Sequence, residues 1–344
     1  MVFSRDKTRV GLDIGASSIK VVEVERREDA VRVIRFGETP LPPDVIVDGE
    51  IMDRQAVVGA IRELFSSCGI SRRRVVAGIH GRGVIVKKIT MDRMTRDEAA
   101  EAIQWEAEQH VPYDLNDVSL DFQLLDADPG PRQMQALLVA AKRDLVLHRA
   151  EVLREAGLTV EAVDVHCFAL HNLLECCAMS APGETVALMN IGSDVTNLVV
   201  ARDGMPLYTQ DLSMGGMSFV QAVQKAHCLS REEAERAVRE DALGADRREA
   251  LEELADDLST NLDKALNYLR TSGEAEGIDR VLVCGGGGLI EGLIPLLAGR
   301  QSASVALLDP LASLSGGRRT GGASAGEPRS AALAVGIGLA LRKE

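Results

Sequence analysis

Asp13, Gly15, Ala16, Ser17, Ser18 and Lys20 stand close together in the run VGLDIGASSIKVVEVE at positions 10–25. An apolar run enters a Gly-Ala-Ser-Ser turn and a β-rich run leaves it, which predicts a hairpin. Gly15 allows close backbone approach. Successive N–H groups in the turn can converge on an anion, the hydroxyls of Ser17 and Ser18 add donors, and Lys20 brings a positive charge. These are the groups a phosphate needs. Asp13 is an anion beside that site and fits only if a cation lies between. Mg²⁺ suits the position, because it keeps its waters and bridges carboxylates to phosphates. The plain alternative is a β-hairpin with a polar turn.

The pattern occurs twice. VGLDIG at 10–15 is answered by ALMNIG at 187–192, and each glycine leads through a short polar turn into a second apolar run. The second turn carries Asn190, Gly192, Ser193, Asp194 and Thr196. Two such turns can hold phosphates from opposite sides, and the duplication points to two related halves. A third element, IDRVLVCGGGGLIEGLIPLL at 278–297, runs a buried strand into Gly285, Gly286, Gly287 and Gly288. Glycines at the carboxyl end of a strand suit close approach to a ligand. Alone, the run reads equally as a tight structural turn. It is neither a GxGxxG fingerprint nor a P-loop. His166, Cys167, His171, Cys176 and Cys177 also cluster. Cys167 and His171 could share a helix face and bind metal, but standard zinc spacings are missing, and ordinary helix packing is the alternative.

The elements that must position these residues alternate between strand and helix, which predicts an α/β protein. Strands are expected over 31–36, 75–79, 84–89, 135–141 and 280–284. Helical spacing of Ile51, Val57, Val58, Ile61, Leu64 and Phe65 predicts a helix over 50–69. Thr95 and Glu98 form a capping box for a helix over about 97–111 that Pro112 stops. Asp144 is expected to cap a helix ending at Gly157. The Gly/Ser/Arg stretch 315–330 reads as an exposed loop, and 331–341 as a small-residue helix.

The chain has 344 residues, of which 46% are hydrophobic but only 3% aromatic, so its core must rest on Val, Ile, Leu and Ala. The net charge of −13 argues against nucleic acid as the main partner. The basic run Arg72, Arg73, Arg74 reads as a solvated loop before a strand. No segment reaches the ~18 apolar residues that cross a bilayer, and Arg5, Lys7 and Arg9 run into a strand rather than a signal-peptide core. A cytoplasmic protein is therefore expected, one that meets the membrane only through a partner. Six scattered cysteines suggest free thiols.

The order DIGASSIK, NIGSDVTN, VCGGGG resembles the first phosphate loop, second phosphate loop and adenosine loop of the actin, sugar kinase and DnaK-type fold. The run EEAERAVR at 232–239 resembles the helix that contacts the nucleoside. The resemblance implies Glu235 at the ribose, with Arg236 and Arg239 flanking the adenine; a solvated charged surface is the alternative. Nearly the whole chain is similar to the PilM family of type IV pilus assembly proteins. The stretches that carry this are AIQWEAEQHVPYDLNDVSLDFQLL (102–125), LLVAAKRDLV (137–146), AGLTVEAVDVHCFAL (156–170) and AVGIGLALR (334–342).

This resemblance implies an actin-like, ribonuclease H-like α/β fold of two related domains, each with an inserted subdomain. The first covers 1–180 plus 331–344 with an insert at about 78–157. The second covers 181–330 with a nucleoside-side insert at about 217–276. ATP and Mg²⁺ are the implied cofactors, with Asp13 near the metal through water. The implied location is the inner face of the inner membrane, among other pilus platform proteins, and a homo-oligomer is possible. The implied partner is the N-terminal cytoplasmic peptide of PilN, in a largely apolar groove between the first domain and its insert.

Some positions depart from relatives of this fold. Asn190 replaces a common Asp, His166 stands where filament proteins often place an acid, and Val238 replaces a basic residue. These changes favour binding over rapid hydrolysis. Two other functions compete with a PilN-docking scaffold. A small-molecule kinase would need an Asp base and a substrate insert. A filament protein like FtsA or MreB would, in the FtsA case, end in an amphipathic membrane helix, whereas 331–341 is apolar on most faces.

Overall fold

The computed structural model describes residues 8–27, 30–47, 49–125, 132–177, 180–239, 244–314 and 330–343. Strand β1 (Thr8–Ile14) turns back on β2 (Ser18–Arg27), and β3 (Ala30–Pro40) completes a meander. A short ladder of β4 (Ile46–Val47) and β5 (Glu50–Ile51) precedes α1 (Arg54–Ser67) and β6 (Arg74–Ile79). Then come β7 (Val84–Asp92), α2 (Arg96–His110), β8 (Val118–Leu125), β9 (Gln133–Lys142), α3 (Arg143–Glu155), β10 (Thr159–Val165) and α4 (His166–Cys177). The second half opens with β11 (Thr185–Ile191), β12 (Thr196–Arg202) and β13 (Met205–Leu212). It continues through α5 (Gly216–His227), α6 (Arg231–Arg239), α7 (Gly244–Thr271), β14 (Arg280–Cys284), α8 (Leu293–Ala298), β15 (Ser304–Leu307) and α9 (Pro310–Ser313). Helix α10 (Ala334–Ala340) is the last of these elements.

The repeat seen in the sequence is a repeat of topology. One sheet has the order β3-β2-β1-β6-β10 and the other β13-β12-β11-β14-β15. In each, three antiparallel strands are followed by two parallel ones. Helices α4 and α10 lie between the two sheets. Their Leu170, Leu173, Ile337 and Leu339 share one core with Val22 and Val76 from the first sheet and with Leu188 and Val199 from the second. The outer face of the first sheet packs on α1 and α3, and the outer face of the second on α5, α7 and α8. Buried on both faces, the central strands carry nearly unbroken apolar runs rather than clean alternation.

Helix α10 explains its own composition. A Cβ on Gly11 would meet the carbonyl oxygen of Gly336 at 2.0 Å, and one on Gly338 would meet that of Ala169 at 1.9 Å. Backbone thus packs directly on backbone at both faces. Larger side chains would drive α10 away from β1 and α4.

A third sheet, β7-β9-β8, carries α2 on one face. Thr95 and Glu98 form the capping box expected of α2. Tyr113, just beyond Pro112, donates its hydroxyl to the carbonyl of Arg82 at 3.0 Å, and Lys142 Nζ stands 5.1 Å from the centre of its ring. The segment 102–125 therefore fastens its turn to the base of β7.

Two local expectations are corrected. Helix α1 starts at Arg54, not near Glu50: Asp53 accepts from the Ala56 N–H at 3.0 Å, and Glu50 and Ile51 pair with β4 instead. Asp144 sits in the first turn of α3 rather than capping it, because the chain enters this helix straight from β9. The stretch 315–329 lies outside the described residues, and 331–341 begins as a 3₁₀ turn before α10.

Candidate functional site

Both hairpins close with the same bond. Gly15 N–H donates to Ser18 O at 3.1 Å, and Gly192 N–H to Val195 O at 3.0 Å. In register, Asp13 pairs with Lys20 and Asn190 with Asn197. Asp13 and Asn190 are the penultimate residues of β1 and β11, and Lys20 and Asn197 the third and second of β2 and β12, so the repeat places an acid–amine pair in one half and an amide–amide pair in the other.

The two turns face one cleft. Asp13, Gly15, Ala16, Ser17, Lys20, Asn190, Gly192, Ser193, Asp194, Gly285 and Gly286 all line it. Ser18, Thr196, Glu235, Arg236, Gly287 and Gly288, six of the sequence-selected residues, are not among those that line it. Ser18 is buried, with its hydroxyl 2.6 Å from Glu38 Oε1, and the Thr196 hydroxyl donates to Met214 O at 2.9 Å. Gly287 and Gly288 are packing positions, where a Cβ would meet Ile191 Cγ2 at 2.4 Å and Val283 Cγ1 at 2.9 Å. On α6, Glu235 accepts from Arg231 at 3.0 Å and Arg236 is exposed. Arg239 is the last residue of that helix. Arg231 also stands 3.6 Å from Asp44, on the loop leading to the cleft residue Ile46, and so links the two halves.

The glycines at the strand end have distinct reasons. Gly285 has φ +85°, and a Cβ there would lie 2.3 Å from Ile191 O. That backbone is open only to glycine at low cost. Gly286 faces open space within the cleft, with nothing near its Cβ position.

Sequence reasoning missed three residues that tertiary crossings deliver. His80, at the end of β6, stacks on His166 with ring centres 4.4 Å apart. Arg149, from α3, is buried below the first turn, its guanidinium 3.5 Å from Ile14 O and 3.5 Å from Gly49 O. Asn197 lies on β12 beside Asn190. Burial pushes the His166 pKa well below its ordinary value, with His80, Arg149 and Lys20 adding to the effect. Burial also lowers His80, against the opposing pull of Asp211 and Asp13. Both imidazoles are neutral at pH 7. Burial brings Arg149 down to about 10, with Asp13 resisting, so it stays cationic at neutral pH.

The donor set fits a Mg²⁺-bound phosphate. Asp13 Oδ1 is buried, makes no hydrogen bond, and stands 3.5 Å from His166 Nε2. A buried carboxylate oxygen without a partner is costly, and a metal-bound water would satisfy it. Lys20 Nζ is 3.8 Å from Asp13 Oδ2 and 3.8 Å from Glu38 Oε1. The cleft encloses only about 60 Å³, well under the ~300 Å³ of ordinary ligand pockets. A nucleotide seated wholly between the turns would need them to part.

A larger cavity of about 290 Å³ adjoins it, between the start of β7, the β10–α4 junction and β13. Val84, Ile85, Val86, Val165 and Leu212 give it an apolar wall, with Arg82 and Asp211 among its polar groups. Strand β7 is an edge strand of the three-stranded sheet, and β13 an edge strand of the second five-stranded sheet.

Cys167 is buried in the core between the sheets, and His171 Nε2 lies 3.1 Å from Gly204 O. Among the described residues no group of three or more His, Cys, Asp or Glu is arranged to hold a metal. All six cysteines are free. No helix of the described residues is long and apolar enough to cross a membrane.

Duplicated five-stranded sheets around a cleft lined by paired turns define a protein of the actin-like fold. The chain belongs to the family of type IV pilus assembly protein PilM, which it matches over residues 11–344. It is 27% identical to a chain of a solved PilM–PilN type IV pilus biogenesis complex, with 97% of each chain covered and a TM-score of 0.83. The ethanolamine utilization protein EutJ of Carboxydothermus hydrogenoformans shares the fold at 14% identity, with 97% and 89% covered and a TM-score of 0.59. Cell division protein FtsA of Bacillus subtilis strain 168 is 25% identical over 250 residues. That match covers 66% of this chain and 56% of FtsA, so it spans little more than half of the relative's length.

Proposed function

We propose that this chain is a cytoplasmic scaffold of the type IV pilus assembly platform, which binds Mg²⁺-ATP in its cleft and docks the N-terminal peptide of PilN. The single observation that carries this reading is family membership over residues 11–344, together with a solved relative that is in complex with PilN. The protein would reach the inner face of the inner membrane through that partner.

In this reading the first domain is 1–180 plus 331–344 with an insert at about 78–157, and the second is 181–330 with an insert at about 217–276. The backbone N–H groups of Ala16, Ser17, Ser193 and Asp194 would hold phosphate oxygens from both sides, while those of Gly15 and Gly192 close the turns. Lys20 would neutralise phosphate charge, and Asp13, whose Oδ1 is buried without a hydrogen bond, would hold the Mg²⁺ through water. Arg149 keeps the first turn in place through the Ile14 carbonyl. The glycines at 285 and 286 admit the nucleoside, and Glu235, Arg236 and Arg239 would reach it once the cleft has widened. Mg²⁺, when bound, would supply charge neutralisation for the phosphates.

The 290 Å³ cavity would take the peptide; it lies where the first domain meets the start of its insert, as the family resemblance implies, but β13 of the second half adds a further wall. Its apolar wall offers side-chain anchors, which a short extended peptide needs to offset its ordering entropy. The edge strands β7 and β13 offer backbone groups for strand-like pairing.

Calorimetric titration of the purified chain with Mg²⁺-ATP, and separately with a synthetic peptide copying the cytoplasmic N-terminus of the cognate PilN, tests both halves of the proposal. Absence of peptide binding at high micromolar concentration would sink the docking role. Absence of nucleotide binding would sink the cleft assignment.

A further inference from the structure

The cleft and the groove share a wall. His80 lines the cleft and its neighbour Gly81 lines the groove. His166 lines the cleft and Cys167 the groove. Val195 faces both. Any movement that separates the phosphate turns therefore acts on backbone that also shapes the groove.

A continuous set of hydrogen bonds runs through this wall. Gly81 N–H donates to Asp211 Oδ2 at 2.7 Å. The other oxygen, Asp211 Oδ1, accepts from Asn197 Nδ2 at 2.7 Å. Asn197 Oδ1 in turn accepts from Asn190 Nδ2 at 2.9 Å. Asn190 Oδ1 then faces Cys284 Sγ at 3.7 Å, immediately before Gly285. The carboxylate fixes the direction of the whole set. An ionised Asp only accepts, so Asn197 must present its NH₂ to Asp211 and its carbonyl to Asn190, and Asn190 must point its own carbonyl away. Neither amide can flip without breaking a buried bond. Asn190 and Asn197 sit at the cleft, and Asp211 and Gly81 at the groove.

From this we infer that Asp211 is a positioning residue which couples occupation of the cleft to the shape of the peptide groove. Nucleotide that parts the two turns shifts Asn190 and Asn197, which lie at the base of the second turn. Asp211 transmits that shift to Gly81, the second residue beyond β6 on the way to β7. The coupling is reciprocal: peptide that moves Gly81 alters nucleotide affinity by the same factor. The inference rests on the proposed function, and it assigns that function's regulation to a side chain that touches no phosphate.

The test is a thermodynamic cycle on the full chain. Peptide affinity is measured with and without Mg²⁺-ATP, and Mg²⁺-ATP affinity with and without the PilN-derived peptide. The wild type should show a coupling of at least about fivefold, equal in both directions. In Asp211→Asn one oxygen becomes an NH₂ that faces a donor, and the coupling factor should fall to about one, whatever the two separate affinities become. Independent binding of both ligands in the wild type overturns the inference and leaves the proposed function standing. Equal coupling in wild type and variant also overturns it. Failure of the wild type to bind either ligand sinks the functional reading itself, and the inference with it. Should Asp211→Asn not fold, hydrogen exchange at the Gly81 amide of the wild type decides. Mg²⁺-ATP should change its protection at least about fivefold, and unchanged protection refutes the coupling.

Discussion

Asp13 and Lys20 are cross-strand partners on the first hairpin, and Lys20 Nζ stands 3.8 Å from Asp13 Oδ2. The pair lines the cleft and sets opposite charges side by side where the proposed phosphate and its metal would bind. Lys20→Ala and Asp13→Ala should each weaken Mg²⁺-ATP binding more than tenfold, which corresponds to at least about 1.4 kcal/mol. Calorimetry on both variants checks this, and unchanged affinity in both would remove the hairpin from the site.

Hydrolysis should be slow, on the order of one turnover per minute or less, against the ~10 s⁻¹ common for enzymes. At the position that Asp13 occupies in the first half, the second half carries Asn190, whose NH₂ is committed to Asn197. An amide takes up no proton. Burial pushes the His166 pKa well below its ordinary value, which makes it a weak base, and the carboxylate it faces, Asp13 Oδ1 at 3.5 Å, is the one assigned to the metal's shell. Phosphate release from purified protein at several per second, with no contaminating ATPase, would contradict this expectation.

Val86 lies on β7 in the wall of the groove. Val86→Asp places a charge where an apolar anchor must be desolvated. Affinity for the PilN-derived peptide should fall at least about tenfold, while Mg²⁺-ATP affinity in peptide-free protein stays within about twofold. Equal loss of both would mean that the variant damages the fold rather than the groove.

Gly11→Ala tests the packing of α10. The added methyl would sit 2.0 Å from the Gly336 carbonyl oxygen and 2.7 Å from the Ala340 nitrogen. Both obstacles are backbone, so the helix must shift as a body. A loss of about 1–3 kcal/mol or more is expected, read as a lowered thermal midpoint. Gly59→Ala, with nothing within 4 Å of its Cβ position, should leave the midpoint unchanged or raise it.

The sequence made some of this legible and hid the rest for physical reasons. The hairpins announce themselves because strand, turn glycine and strand are contiguous, and because the unit is written twice. The capping box of α2 is equally local: Thr95 and Glu98 are three residues apart and bond to each other. Asp144 misled because an acid at a helix start looks alike whether it caps the first turn or merely sits in it. Glu50 misled because two residues of ladder with β4 outweigh a continuing helical pattern. His80, Arg149 and Asp211 carry no local signature. Each is an unremarkable polar residue until β6, α3 and β13 cross behind the turns. The glycine run showed the opposite limit. It reads as one motif, but only Gly285 and Gly286 reach the cleft, while Gly287 and Gly288 serve the packing behind it.

The backbone-to-backbone seat of α10 has a consequence for how the chain is made. Residues 330–341 supply Leu333, Val335, Ile337 and Leu339 to the core that also holds β2, β6 and α4, yet they leave the ribosome only after every strand of the second half. During synthesis the first sheet waits with α4 alone on its inner face, and the seat of α10 against β1 and β2 stays open. Contacts so far apart along the chain are slow to form, and an exposed apolar sheet face is prone to aggregation in the meantime. A nascent chain stalled before residue 330 should be captured by general chaperones far more strongly than one released at full length. Ribosome profiling of chaperone-bound chains would show the captured population persisting across the whole second half and falling only at its last turn of helix.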